Sequence, residues 1–158
     1  MYTILAVFSM TRYSPELLQN AVAKARQVDD PEITVLYVTE KKDMEKLKAR
    51  TGDQGFLGRS SVDRVMHTVL QEHEKLRGER LAEIRRRLGE AGIPHRIYER
   101  QGQYSDCVIK EVEGMPYDSV FLPRPSRSFL ERLFLGSEVQ RVAEYTRREK
   151  NSEVNIVE

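Results

Sequence analysis

The stretch Pro123–Ser137 reads PRPSRSFLERLFLGS. The apolar run Ser119-Val120-Phe121-Leu122 leads into it, and an amphipathic segment beginning Ser137-Glu138-Val139-Gln140 leaves it. A strand that runs through a loop into a helix N-terminus is where an α/β sheet holds anionic ligands. The first N–H groups of the helix have no partner in the helix, and its dipole favours negative charge. The stretch therefore raises two questions: what fold surrounds it, and whether it binds an anion.

Two more short apolar runs stand upstream, Thr3–Phe8 (TILAVF) and Ile33–Val38 (ITVLYV). Continuous runs of this length suit strands buried on both faces. Between them, Ser14-Pro15-Glu16 has the order of a helix start: hydroxyl cap, proline at the first position, acid in the first turn. Leu17, Leu18, Ala21, Val22, Ala25 and Val28 continue it as one apolar face, stopped by Asp29-Asp30-Pro31. Residues 41–50 are dense in charge and predict a short helix. Residues 51–61, with Gly52, Gly55 and Gly58, predict a loop. In that loop Phe56 and Leu57 either tuck against the body or serve as a lid or partner contact.

Ser60 or Ser61 then caps a long helix to about Glu90. Val62, Val65, Met66, Val69, His73, Leu76, Leu81, Ile84 and Leu88 trace its stripe, Gly78 marks a bend, and Gly89 and Gly92 bracket its end. Arg85-Arg86-Arg87, flanked by Glu83 and Glu90, reads as a solvated helix face. His95–Arg100 alternates weakly, as a half-exposed edge strand does. Ser105 or Asp106 caps a helix with Cys107 or Val108, Ile109 and Val112 inward, ending at Gly114. Ser137 starts the last helix, with Val139, Val142, Ala143 and Tyr145 or Thr146 inward, and Val154–Val157 is a last strand. Strands alternating with helices imply right-handed crossovers, hence an open α/β fold: a five-stranded parallel sheet with helices on both faces. One domain over residues 1–158 is expected.

The bulk composition excludes several classes. Of 158 residues, 26 are basic and 25 acidic, a net charge of +1 that argues against nucleic acid as a partner. Hydrophobic residues at 39% and charged residues at 32% fit a soluble chain. No apolar run nears the ~20 residues of a membrane span, so no membrane association is expected. Cys107 stands alone, and a reducing cytoplasm is the simplest compartment for it. It reads as packing rather than as a nucleophile. His67, His73 and His95 lack helical metal-site spacing, so no metal is assigned. No nucleophile elbow or Walker loop is present, and no catalytic residue is assigned.

The order of elements, the chain length and the segment Ser128-Phe-Leu-Glu-Arg-Leu-Phe-Leu-Gly-Ser137, continued by Glu138-Val-Gln-Arg-Val142, resemble the universal stress protein family. The closing strand Val154-Asn-Ile-Val157 sits where that family places its last one. The resemblance implies a flavodoxin-like sheet in the order 3-2-1-4-5. It also implies either an ATP-binding protein or a dimeric regulator that does not bind ATP. Members of that family end the fourth strand in a Gly-x-x-Gly loop, followed by nine residues and then Gly-Ser or Gly-Thr. Carried over by position, the loop glycines fall on Pro123 and Ser126, and the pair is kept at Gly136 and Ser137. An aspartate that contacts the nucleotide falls on Ser9, and Val38 takes the position whose backbone faces adenine.

These departures have physical consequences. A glycine loop holds phosphate by adopting positive φ and pointing its N–H groups at the oxygens. Pro123 and Pro125 have no N–H and fix φ near −65°. A left-handed Ser126 would cost on the order of 1 kcal/mol. Arg124 and Arg127 offer instead guanidinium forks that grip a phosphate or carboxylate by side chain, or else they are solvated loop residues. Ser137-x-x-Gln140 is a capping-box pattern, which accounts for the serine without a ligand.

The expected function is a non-catalytic, dimeric stress-response module with a degraded nucleotide site. No cofactor is assigned, and the loop weighs against ATP. The alternative is an ATP, AMP or other anion sensor using Arg124 and Arg127; an enzyme is the weakest reading. The expected partners are a second copy, paired through Val154, Asn155, Ile156 and Val157, and a regulatory protein.

Overall fold

A strand buried on both faces must send alternate side chains into two separate cores, and β1 (Tyr2–Ser9) does so. In the computed structural model, which describes residues 1–40, 59–124 and 136–157, it is the middle strand of five. The others are β2 (Pro31–Thr39), β3 (His95–Gln101), β4 (Ser119–Pro123) and β5 (Glu153–Val157). The order is β3-β2-β1-β4-β5 and every pairing is parallel, the flavodoxin-like sheet that was expected. The helices among the described residues are α1 (Pro15–Ala25), α2 (Arg59–Ala91), α3 (Tyr104–Gly114) and α4 (Gly136–Lys150). None is long and apolar enough to cross a membrane. The expected helix at 41–50, Phe56 and Leu57, and residues 125–135 with Ser126 and Arg127 lie outside the described residues.

Ile4, Ala6 and Phe8 of β1 join Ile33, Val35 and Tyr37 of β2 against α1 and α2. Their neighbours Leu5, Val7, Leu36 and Val38 pack on the other face against α3 and α4. Each large side chain taken fully out of water contributes about 1.5–3 kcal/mol. β3 carries the exposed charges Arg96, Glu99 and Arg100 along its length, which discourages pairing at that edge.

Helix ends follow local chemistry. Ser14 has extended backbone (φ −132°, ψ 118°) and its Oγ accepts from Leu17 N at 3.4 Å, with Pro15 opening the helix, as expected. The helix ends at Ala25, so Val28 falls beyond it. α2 begins at Arg59, which puts residues 59–61 in the helix rather than the loop. It runs unbroken through Gly78, and ends before Gly92 at φ 67°, a left-handed position that favours glycine. The expected cap at Ser105 or Asp106 is not formed: Gln103 is the extended residue before α3, and Tyr104 and Ser105 are already buried in its first turn. Burying Tyr104 in the second core requires the helix to start there. In α4, Thr146 faces inward and donates to Val142 O, while Tyr145 turns out to Glu113 at 2.9 Å.

One stripe does not pack as expected. Leu81, Ile84 and Leu88 are buried, but Val65 and Leu76 are 39% and 38% exposed. A 33-residue helix spans about 50 Å, whereas the nine residues of β2 span about 30 Å. The first half of α2 thus outruns the face it packs on. Further along, Arg86 bonds Glu83 and Glu90, and Arg87 bonds Glu83. Arg86 first, then Arg87, holds the Glu83 carboxyl down to about 2. The arginine run is therefore an ion-paired, solvated face.

Two measurements check this packing. Ile84→Ala should cost about 2–5 kcal/mol in urea unfolding, and Leu76→Ala within about 0.5 kcal/mol. Cys107 is 6% exposed, and burial pushes its thiol up. At neutral pH it should react with a thiol reagent far more slowly in folded protein than in urea; equal rates would contradict its burial.

Candidate functional site

In a doubly wound sheet ligands collect outside the carboxyl ends of the strands, near the point where strand order reverses, here between β1 and β4. Ser9 is the last residue of β1, fully buried, and lies in register beside Val38 of β2. The two positions that the family resemblance relates to a nucleotide are thus neighbours in the sheet.

Ser9 is already engaged by its own chain. Its Oγ accepts from Arg12 N at 3.0 Å and lies 3.4 Å from Thr11 Oγ1, and its N–H donates to Arg12 O at 2.9 Å. This tight loop turns Arg12 back over the sheet. The guanidinium, 1% exposed, donates Nη1 to Glu40 Oε1 at 3.0 Å, and Thr11 Oγ1 donates to the same oxygen at 3.0 Å. Glu40 directly follows β2 and is 8% exposed. Arg12 also lies over the Tyr104 ring, 4.3 Å from its centre. A buried charge pair needs this density of partners, because each ion alone would lose its hydration uncompensated.

The surrounding elements hold the cluster in place. From α2, Arg80 donates to Met10 O at 2.8 Å and covers the Tyr13 ring at 4.5 Å, clamping the loop after β1. Tyr37 OH donates to Met10 Sδ at 3.1 Å. On the β3 side Gly102 donates to Thr39 O at 3.1 Å, which sets the start of α3 against the end of β2. Gly102 has φ 148°, and a Cβ there would stand 3.2 Å from Cys107 Sγ. Ser105 Oγ, fully enclosed in the first turn of α3, makes no hydrogen bond among the described residues.

At the other side of the reversal point, Pro123 closes β4, buried and in register with Val157. The backbone N–H of Arg124 donates to Val157 O at 2.6 Å. The first donor after Pro123 thus extends the β4–β5 ladder. The Arg124 residue is exposed. Gly136 opens α4, while the Ser137 side chain lies outside those described.

Of the sequence-derived positions, the structure brings Ser9 and Val38 together and puts Arg124 beside β5. The Arg12–Glu40–Tyr104 cluster was not foreseen. Its signal is two opposite charges, each just past the end of an apolar strand, and it gains meaning only once β1 and β2 are known to be adjacent.

Similar folds occur among solved structures. Universal stress protein UspA from Lactobacillus plantarum aligns with TM-score 0.63 at 13% identity, over 99% of this chain and 97% of that one. A universal stress protein in complex with cAMP aligns with TM-score 0.58 at 15% identity, over 99% and 96%. An Arabidopsis thaliana member with AMP bound aligns with TM-score 0.57 at 12% identity, over 99% and 91%. Among curated proteins nothing matches the sequence. The profile described as Universal stress protein family matches residues 1–147, and with the β3-β2-β1-β4-β5 sheet this means that the chain belongs to the universal stress protein family.

Proposed function

We propose that this chain is a non-catalytic, dimeric regulatory module of the stress response, acting in the cytoplasm, with a degraded nucleotide site. One observation carries the reading. Polar groups at the carboxyl ends of β1 and β2 are bonded to one another: Ser9 to the Arg12 backbone, Arg12 and Thr11 to Glu40. The Pro123 loop fits the same reading. Its proline has no donor, and the next N–H goes to Val157. Structures of relatives bound to cAMP and AMP support a nucleotide as the ligand class from which the chain has departed.

A second reading keeps a ligand. Arg124 is exposed just past β4, and Arg124 with Arg127 would grip a nucleotide phosphate by side chain where the glycine loop is missing. Calorimetry separates the two. The first expects ATP to bind wild-type protein no more tightly than about 1 mM, roughly −4 kcal/mol. Binding in the tens of micromolar that weakens on Arg124→Ala and Arg127→Ala would establish the second.

The dimer rests on the open edge of β5. Glu153 N donates to Asp118 O and Val157 O accepts from Arg124 N, so Glu153, Asn155 and Val157 turn their backbone groups toward β4. Backbone direction alternates along a strand, so those of Val154 and Ile156 face outward; Val154 O accordingly accepts from Arg147. A second β5 placed antiparallel across a two-fold axis would pair with that edge. Ile156→Pro removes an outward N–H and spares the β4 ladder. In sedimentation it should give a folded monomer, and a variant that remains dimeric excludes this interface.

A further inference from the structure

We propose that Arg12, lying over the Tyr104 ring, and the Glu40 bonded to it are a built-in occupant of the crevice, and that this cluster keeps a nucleoside out even where the phosphate loop plays no part. The proposal rests on the reading of the chain as a module with a degraded nucleotide site, and it assigns the exclusion to particular side chains. The pair lies where a ligand of this sheet would sit, past the ends of β1 and β2 and beside Ser9 and Val38. Its form also suits the place. A guanidinium is a flat, delocalised group lying 4.3 Å from the centre of the Tyr104 ring, the kind of stacking that a nucleobase makes on a tyrosine. The Glu40 carboxylate holds the guanidinium there, accepting from Arg12 and Thr11 at 3.0 Å each.

The energetics make the occupant hard to displace. A ligand entering beside Tyr104 would have to separate the guanidinium from Glu40. That takes from a carboxylate that is 8% exposed the guanidinium bonded to it at 3.0 Å, and breaking a buried ion pair is strongly destabilising. Exclusion is thus a property of the pair. Removing both charges together abolishes it and leaves neither member of the pair facing the other's absence.

The test uses adenosine, which carries no phosphate and so does not depend on the Pro123 loop. Arg12→Ala with Glu40→Ala empties the space, and Arg12→Met with Glu40→Leu refills it with apolar atoms of similar size. Calorimetry should show adenosine binding to the emptied variant at least about tenfold more tightly than to wild type, with the refilled variant as weak as wild type. If the emptied variant does not fold by circular dichroism, Arg12→Ala with Glu40→Gln, whose amide oxygen still accepts from Thr11, carries the same expectation. Folded, emptied protein that binds no better than wild type overturns the occupant and leaves the degraded-site reading standing. Wild-type protein that binds adenosine or ATP in the micromolar range with the pair intact overturns both.

Discussion

Burial of β1 on both faces is the constraint on which the rest of the structure depends. From Ile4 to Ser9 no residue of this strand reaches water. Such a strand offers no position for a polar side chain along its length, since any group there would give up hydration without a partner. Chemistry is therefore confined to its ends. At the amino end Thr3 N donates to Asp118 Oδ2 at 2.8 Å and Tyr2 OH meets Ser119 Oγ at 2.8 Å, which fixes β1 beside β4. At the carboxyl end the first polar residue, Ser9, anchors a loop that folds the next charged residue back across the sheet.

The same constraint explains the character of the crevice. Two cores enclose β1 and β2, so the charges folded over their carboxyl ends, Arg12 and Glu40, lie in a poorly hydrated place and need a counter-ion within reach. Arg12 and Glu40 meet that need for each other, with Tyr104 supplying a polarisable face. In this crevice Arg12 and Thr11 are already bonded to Glu40, while Ser105 Oγ makes no hydrogen bond among the described residues. What distinguishes a receptive site from a closed one is whether its donors and acceptors are already spoken for, and composition does not reveal this.

The fold was legible because its determinants are local. Continuous runs such as Thr3–Phe8 and Ile33–Val38 announce strands covered on both sides, and Ser14-Pro15 announces a helix start; the structure has both. The weakly alternating run at His95 marked an edge strand for the same reason. Departures arose where a distant partner decides. The stripe on α2 is uniform in sequence, yet among its described side chains only Leu81, Ile84 and Leu88 become buried, because the sheet face beneath is shorter than the helix. Ser105 and Asp106 have the chemistry of caps, but the burial of Tyr104 moves the helix start upstream. The polar cluster depends on β1 and β2 being adjacent, on Gly102 fixing α3, and on a backbone turn at Ser9. No short window of sequence contains all three.

Gly102 ties two positions together in any line of descent from this chain. Its φ of 148° is costly for a residue with a side chain, and its missing Cβ leaves room for the Cys107 sulfur at 3.2 Å. A mutation at 102 alone meets both obstacles, whereas Cys107→Ala clears the second beforehand. Change is therefore expected to be ordered, with the cysteine lost before the glycine. Relatives that have any other residue at the glycine position should have a small one in place of the cysteine, together with a different turn out of β3.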